Sequence, residues 1–399
     1  MHPEHAWAGG RMRTVAVLTG TRADYGLLRG LIREIDADPA LELRLIATGT
    51  HLVDEFGRTS TEIENDGFAL SATVPIWSGD DDRLSVAADV GRAVPGYARA
   101  LAEISPDVLV VLGDRLEAFA AATAATILSI PIAHIHGGEV TEGAMDDALR
   151  HSLTKMSYLH FASTPDHRRR VIQLGEDPER VYFHGAPIVD ALDSLELLSR
   201  TAVEQRFDIR LPMPTALVTF HPAAMDVARP EQLVEELLAG LLGVEGLHLV
   251  ITGSNSDIGT ADVRARIAAF TTSHPDRVDF VESFGQLGYL SAMSAVAVVV
   301  GNSSSTVLEA PVLGVPSVLI GDRQKGRPLA DTVTVPTPER DTIAAAVRTA
   351  ISWTAKRSGT SIFGAPGFAA RTAATLRDAV IPRPPRKSFH DLEEESAHE

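Results

Sequence analysis

The chain of 399 residues contains no cysteine. That removes disulfides, thiolate catalysis and cysteine-based zinc sites, and it is compatible with a cytoplasmic location. No apolar run approaches the roughly 20 residues that cross a bilayer. The opening MHPEHAWAGGRMR has no apolar centre, so no signal peptide is expected. Positive charge is scarce: 36 Lys and Arg face 53 Asp and Glu, for a net charge of −17. This balance argues against non-specific nucleic-acid binding and against an anionic membrane surface as partner. A phosphate ligand would need cations gathered locally. The first glycine turn, LTGTRADYG, has no G-x-G-x-x-G spacing, so no dinucleotide cofactor is expected.

Hydrophobic residues make up 45% of the chain, an ordinary globular composition, and the length suggests about two domains. Short apolar runs such as TVAVLTG, LELRLIATG, DVLVVLGD and IPIAHIH read as buried parallel strands. Segments with helical stripes separate them, among them LLRGLIREI with Leu27, Leu28, Leu31, Ile32 and Ile35 on one side. The same alternation restarts near residue 215 with TALVTFHP, LHLVITGS, RVDFVES and AVAVVVGNSS. The expected fold is therefore α/β, with two Rossmann-like domains facing across a cleft. The expected boundaries are a flexible 1–12, a first domain over 13–190 and a second over 191–381, whose last helix can pack back on the first domain. The proline- and charge-rich 382–399 is expected to be disordered.

Five stretches carry the chemistry. In LTGTRADYG, Asp24 is expected to cap a helix, and Arg22 at the turn can fork onto a phosphate. Asp114 closes an apolar strand in VVLGDRLEAF, as either a helix cap or a cleft residue. In IAHIHGGEVTEGAMDDALRHSLTK, His134 and His136 alternate across a strand, so only one should face a cleft. Glu139 follows the glycine pair. Asp146 and Asp147 open a helix that continues through Arg150, His151 and Lys155. His134 and His136 do not converge from one face as metal ligands must, so no metal is expected. An acid–base cluster fits the carboxylates better; a capped helix beside one buried histidine is the bland alternative. His221 ends the strand in TFHP. Finally, GNSSSTVLEAPVLG runs from a strand through Ser303, Ser304 and Ser305 into a helix carrying Glu309, followed by Arg323, Lys325 and Arg327. Exposed N–H groups, hydroxyls and local cations suit a diphosphate, with Glu309 able to reach a ribose diol.

Together TGTRADYGLL, HLVDEFGRTSTEIENDGF, LGDRLEAFAAA, HIHGGEVTEGAMDDALRHSLTKMSYLHF, TFHP and GNSSSTVLEAP resemble the hydrolysing UDP-N-acetylglucosamine 2-epimerases, over roughly residues 13–380. The resemblance implies a glycosyltransferase-B-like fold, with conversion of UDP-GlcNAc and water to UDP and N-acetylmannosamine. It implies no metal or redox cofactor, a UDP-sugar as partner, and a homo-dimer or homo-tetramer. Carried over by position, Arg22, His221, Ser303, Ser304, Ser305 and Glu309 would hold UDP. Asp114, Glu139, Asp146 and the nearby histidines would serve the sugar, the three carboxylates sharing the proton work with His136 or His221 assisting. Asp24, His134, Asp147, Arg150, Lys155, Gly253, Ser254, Phe284, Arg323, Lys325 and Arg327 complete the expected substrate contacts. Part of that family places a glutamate where this chain has His136, so either His136 or Glu139 takes its role. Three other readings stay open: an epimerase on another UDP-sugar, such as a diacetylated bacillosamine or an antibiotic-pathway sugar; a glycosyltransferase; and a silent nucleotide-sugar sensor.

Overall fold

A computed structural model describes residues 12–392 apart from 55–56, 80–81, 142–144, 222–229, 254–259 and 354–361. The chain forms two compact units, one of residues 1–191 with 362–399 and the other of residues 192–361.

The first unit is built on a seven-stranded sheet of β1 (Arg13–Thr19), β2 (Leu41–Thr48), β3 (Leu70–Val74), β4 (Val108–Leu112), β5 (Ile132–Ile135), β6 (Leu159–Ala162) and β7 (Val181–Phe183). Its order is β3-β2-β1-β4-β5-β6-β7, and its strand pairs are parallel. Every residue of β1 and of β4 is buried, because helices cover both faces of the sheet. Val15 and Val17 enter one core with Leu28, Ile32 and Ile35 of the helix Arg22–Ala37. Ala16 and Leu18 enter the opposite core with Tyr97, Leu101 and the alanines of the helix Leu116–Ile127. The chain turns one way from β1 to β2 and the other way to β4. The carboxyl ends of β1 and β4 therefore flank a switch point, where open α/β sheets bind ligands.

Residues 362–399 cluster with this first unit. The helix Phe368–Asp378 places Phe368, Ala369, Ala373 and Leu376 in the same core as Leu28 and Ile35. Asp190 caps its start, accepting from the backbone N–H groups of Gly367, Phe368 and Ala369 at 2.6, 3.1 and 2.7 Å. Beyond it, residues up to 392 make defined contacts with the unit. Arg383 pairs with Asp107 at 3.2 Å, and Lys387 Nζ donates to Ser157 O and to Glu176 Oε2, each at 2.8 Å. His390 N donates to Gly175 O at 2.9 Å.

The second unit repeats the plan with β8 (Thr215–Thr219), β9 (His248–Thr252), β10 (Val278–Val281), β11 (Val298–Gly301), β12 (Ser317–Leu319) and β13 (Val333–Thr334), in the order β10-β9-β8-β11-β12-β13. Val218, Phe220, Ile251 and Val300 pack under Val234, Leu237 and Leu241 of the helix Pro230–Leu242. Its switch point lies between β8 and β11.

Candidate active site

At the end of β1 the helix cap is Thr21, whose hydroxyl accepts from Asp24 N at 3.2 Å. The cap expected at Asp24 is thus corrected: Asp24 lies in the first turn, where its carboxyl is raised by burial against the opposing pull of Arg115. Arg22 points to the surface and pairs with Glu62 at 3.1 Å. Asp114 follows β4 and accepts from the nearly buried Arg150 guanidinium. Arg150 also donates to Asp147 Oδ1 at 3.0 Å and to Thr141 Oγ1 at 3.1 Å. Arg150 projects from the helix Met145–Met156, which places Asp146 one turn earlier. Burial raises the Asp146 carboxyl, and the charge of Asp114 raises it further.

Asp114 and Asp146 line a cavity of about 300 Å³ together with Arg115, Glu117, Trp77 and Asp89. Arg115 stands 3.9 Å from Asp24 and 3.5 Å from Glu117. Glu117, Trp77 and Asp89 escaped the sequence reading. Glu117 was visible in LGDRLE as the next helical position, but Trp77 and Asp89 carried no motif signal.

His136 and Glu139 lie off the end of β5, the strand beside β4, and are not among the residues lining that cavity. His136 Nδ1 is 3.3 Å from Glu139 Oε1. Ser163 Oγ bonds to Glu139 Oε1 at 2.7 Å and lies 2.8 Å from His167 Nδ1. Burial lowers His167 to about 4 despite the nearby Glu139 charge, so its ring is neutral at pH 7. Ser163 and His167 were not foreseen. The path needs Gly138: its φ is +81°, and a Cβ there would stand 2.3 Å from His167 O.

Two residues expected at the substrate are engaged within the fold. His134 is fully buried, with Nδ1 3.2 Å from Thr154 Oγ1 and Nε2 2.7 Å from Gly113 O. Burial lowers it to about 3, and the neutral ring braces the turn that presents Asp114. Lys155 donates to Glu176 Oε1 at 2.6 Å and to Leu174 O at 3.0 Å, which commits its ammonium to a buried carboxylate. His151 Nε2 stands 3.9 Å from Asp147.

In the second unit, Asn302 ties the ends of β8 and β11 together. Its Oδ1 accepts from His221 N at 2.7 Å, and its Nδ2 donates to His221 O at 2.6 Å. The expected continuous helix after the serines is instead a single 3₁₀ turn, Ser304–Thr306, followed by the short helix Glu309–Val312. Pro311 supplies no N–H to continue the ladder, so helix-dipole attraction counts for little here. Ser303 caps the turn, Ser305 Oγ donates to Ser303 Oγ at 3.0 Å, and Tyr289 OH lies 2.8 Å from Ser305 Oγ. Glu309 Oε2, Thr306 Oγ1 and Gln324 Oε1 are buried without a hydrogen-bond partner, and burial raises the Glu309 carboxyl. Arg323 Nη1 donates to Asn302 O at 3.3 Å. Lys325 is exposed and Arg327 half-buried; the charge of Arg327 acts on Glu309.

Gly253 follows β9 and donates to Val281 O at 3.1 Å. Ser254 lies outside the described residues. Phe284 is 6% exposed and packs edge-on against Phe207 with ring centres 4.6 Å apart. Among the described residues no group of three or more His, Asp or Glu converges as metal ligands, and no helix is long and apolar enough to cross a membrane.

The family described as UDP-N-acetylglucosamine 2-epimerase matches residues 33–377. A Campylobacter jejuni protein named GDP/UDP-N,N'-diacetylbacillosamine 2-epimerase (hydrolyzing) is 34% identical over 79% of this chain and 82% of its own length. A Neisseria meningitidis serogroup B protein named UDP-N-acetylglucosamine 2-epimerase is 30% identical over 81% of this chain and 83% of its own. The crystal structure of a Neisseria meningitidis UDP-GlcNAc 2-epimerase bound to UDP-GlcNAc covers 92% of this chain and 99% of that one, with a TM-score of 0.71 at 20% identity. At that identity the likeness speaks to fold.

Proposed function

The chain belongs to the UDP-N-acetylglucosamine 2-epimerase family, and from that premise we propose that it is a hydrolysing 2-epimerase. Its substrate is UDP-GlcNAc or a close UDP-N-acetylhexosamine. Its products are UDP and the free 2-epimer, N-acetylmannosamine for UDP-GlcNAc.

The C2 hydrogen of such a sugar is not adjacent to a carbonyl and is a poor acid. It becomes acidic once the C1–O bond to UDP breaks and the ring turns oxocarbenium-like. UDP departs with the bonding electrons, and a base takes the C2 proton to leave a glucal with a C1–C2 double bond. Water then adds its hydroxyl at C1, and a proton is delivered to C2 from the opposite face, which inverts that centre. The reaction asks for a fixed negative charge near C1, a base on one side of C2 and an acid on the other.

The observation that carries the proposal is the unequal pair of carboxylates in the first unit. Asp114 is locked as an ion pair with Arg150, which suits a lasting anion facing a cationic ring. Asp146, raised by burial and by Asp114, suits proton exchange. Glu139, linked to His136 and Ser163, is proposed for the second proton. In the second unit, Ser303, Ser304, Ser305, His221 and the basic loop with Arg323, Lys325 and Arg327 are proposed to hold the diphosphate, and Glu309 the ribose. A cytoplasmic homo-oligomer belongs to the same proposal on the strength of the resemblance.

Incubation with UDP-GlcNAc in deuterated water tests this. The expected result is UDP plus free N-acetylmannosamine carrying deuterium at C2. Sugar transfer only when an acceptor is supplied would replace the proposal with a glycosyltransferase. Binding of UDP-sugars without release of UDP from any of them would make the chain a sensor.

A further inference from the structure

Ser163 directly follows β6, and Thr164 then caps the helix Pro165–Gln173, its hydroxyl accepting from His167 N at 3.1 Å. Pro165 at the first helical position suits that start. The tight entry brings His167 back to Ser163, four positions earlier. Ser163 and His167 are 1% and 2% exposed. The side chains of His136 and Glu139, to which they connect, are 20% and 24% exposed. The array therefore has a buried end and an open end.

Its open end stands beside Asp114. Gly113 N donates to Ile135 O at 2.9 Å where β4 and β5 finish, and Asp114 and His136 are the next residues of the two strands. His136 has φ +67°, a left-handed backbone that costs a histidine about 1–3 kcal/mol and that gathers at active sites.

A hydroxyl has one hydrogen to give. Ser163 Oγ gives it to Glu139 Oε1 at 2.7 Å, so it accepts from His167 Nδ1 at 2.8 Å. The order is His167 N–H to Ser163 O–H to Glu139. His136 Nδ1 approaches the same carboxylate oxygen at 3.3 Å. This order suits both states of the carboxyl. Oε1 accepts from Ser163 when Glu139 is an anion, and it still accepts as a carbonyl oxygen when the other oxygen carries a proton. An imidazolium behind the serine would hold Glu139 as an anion, but burial keeps His167 neutral. The chain thus fixes the direction of the carboxyl without fixing its charge.

We propose that Ser163 and His167 are positioning residues for the second proton transfer, aiming the Glu139 carboxyl at C2 of the glucal and letting it arrive there as an acid. This rests on the chain being a hydrolysing 2-epimerase. In that step the C1–C2 π electrons take the proton of Glu139 at C2, and the oxygen of water bonds to C1. The proton that water sheds leaves to solvent, from which Glu139 is reprotonated.

The experiment uses the full chain with UDP-GlcNAc and measures UDP, free 2-epimer and 2-acetamidoglucal together. Elimination precedes the second proton transfer, so a fault confined to this chain shows only after UDP has left. In Ser163→Ala, UDP release is expected to stay within about threefold of wild type while the yield of 2-epimer per UDP falls about tenfold or more, the cost of a misaimed group. Glucal makes up the difference. His167→Leu is expected to do the same, and His167→Asn, whose amide N–H can stand where Nδ1–H stood, to restore most of the yield. An equal fall of UDP and 2-epimer without glucal is the mark of a merely structural role and overturns the assignment. An unchanged product ratio in Ser163→Ala, which loses one oxygen and keeps its fold, overturns it as well. Absence of UDP release by the wild-type chain is a different result and overturns the epimerase reading itself.

Discussion

Arg150 reaches back 36 positions to donate to Asp114, and its guanidinium is 5% exposed. The pair fixes the helix Met145–Met156 against the end of β4 and so sets the spacing of Asp114 and Asp146. Arg150→Met should leave Asp114 without its counter-charge and cost about 3 kcal/mol of stability, the lower end for breaking a buried pair. It also removes a cation that holds Asp146 down, so the Asp146 carboxyl rises further. The acidic limb of kcat, which needs Asp146 deprotonated, is then expected to move to higher pH. A pH–rate profile and chemical unfolding check both effects.

Asp146→Asn should separate binding from chemistry. Loss of a general base typically costs 10²–10⁴-fold in rate. UDP release is expected to fall by that order while UDP affinity, measured by calorimetry, stays within about twofold. Asp114→Asn should likewise abolish UDP release and spare UDP binding. Retained turnover in either variant would remove that carboxylate from the mechanism.

Gly301 ends β11 with φ +141°, and a Cβ there would lie 1.9 Å from Thr219 O on β8. Gly301→Ala must push those two strands apart where His221 and Ser303 emerge. UDP binding is expected to weaken more than tenfold. A lower melting temperature should accompany it, since strain of this kind destabilises by about 1–3 kcal/mol. Full UDP affinity in a folded Gly301→Ala protein would place the nucleotide elsewhere.

Glu176 is fully buried and pairs with two cations, Lys155 at 2.6 Å and Lys387 at 2.8 Å, and with the His160 ring at 3.1 Å. Burial alone would raise its carboxyl, but bonds from His160, Lys155 and Lys387 bring it down to about 2. A depressed carboxylate stabilises the fold above the unfolded value near 4.3. That contribution is lost as pH falls from there toward 2. Burial also lowers His160 despite the Glu176 charge, which adds acid sensitivity of the same sign from about pH 6.5 downward. Lys387→Met is expected to destabilise by about 1–3 kcal/mol at pH 7, with a smaller difference from wild type at pH 3. Urea unfolding at both pH values measures it.

The parts of this molecule written in periodic patterns were legible before any coordinates. The apolar runs of β1 and β4 announce strands covered on both faces, and the stripe through Leu28, Ile32 and Ile35 announces its helix. The strand alternation read for His134 and His136 does not reach the second residue, because β5 ends at Ile135 and His136 has φ +67°, and it could not show that His134 is the buried one. That depends on Thr154 and Gly113, which fold back from other elements. The partners of Lys155 and Phe284, Glu176 and Phe207, come from other elements, so no local pattern could announce them. The broken helix at Pro311 could have been read from the proline alone. The places of Trp77 and Val90 in the lining of the cavity could not, because they belong to no motif and meet only through the packing of the segment after β3 on the next helix.

The first unit is made from both ends of the polypeptide, with the whole of 192–361 inserted between Ala191 and Ile362. During synthesis the inserted unit leaves the ribosome complete, while the unit bearing Asp114 and Asp146 still lacks the helix that closes one of its cores. That unit can therefore mature only after translation has passed Leu376, and shortened chains ending before that point would display Leu28 and Ile35 to chaperones and proteases.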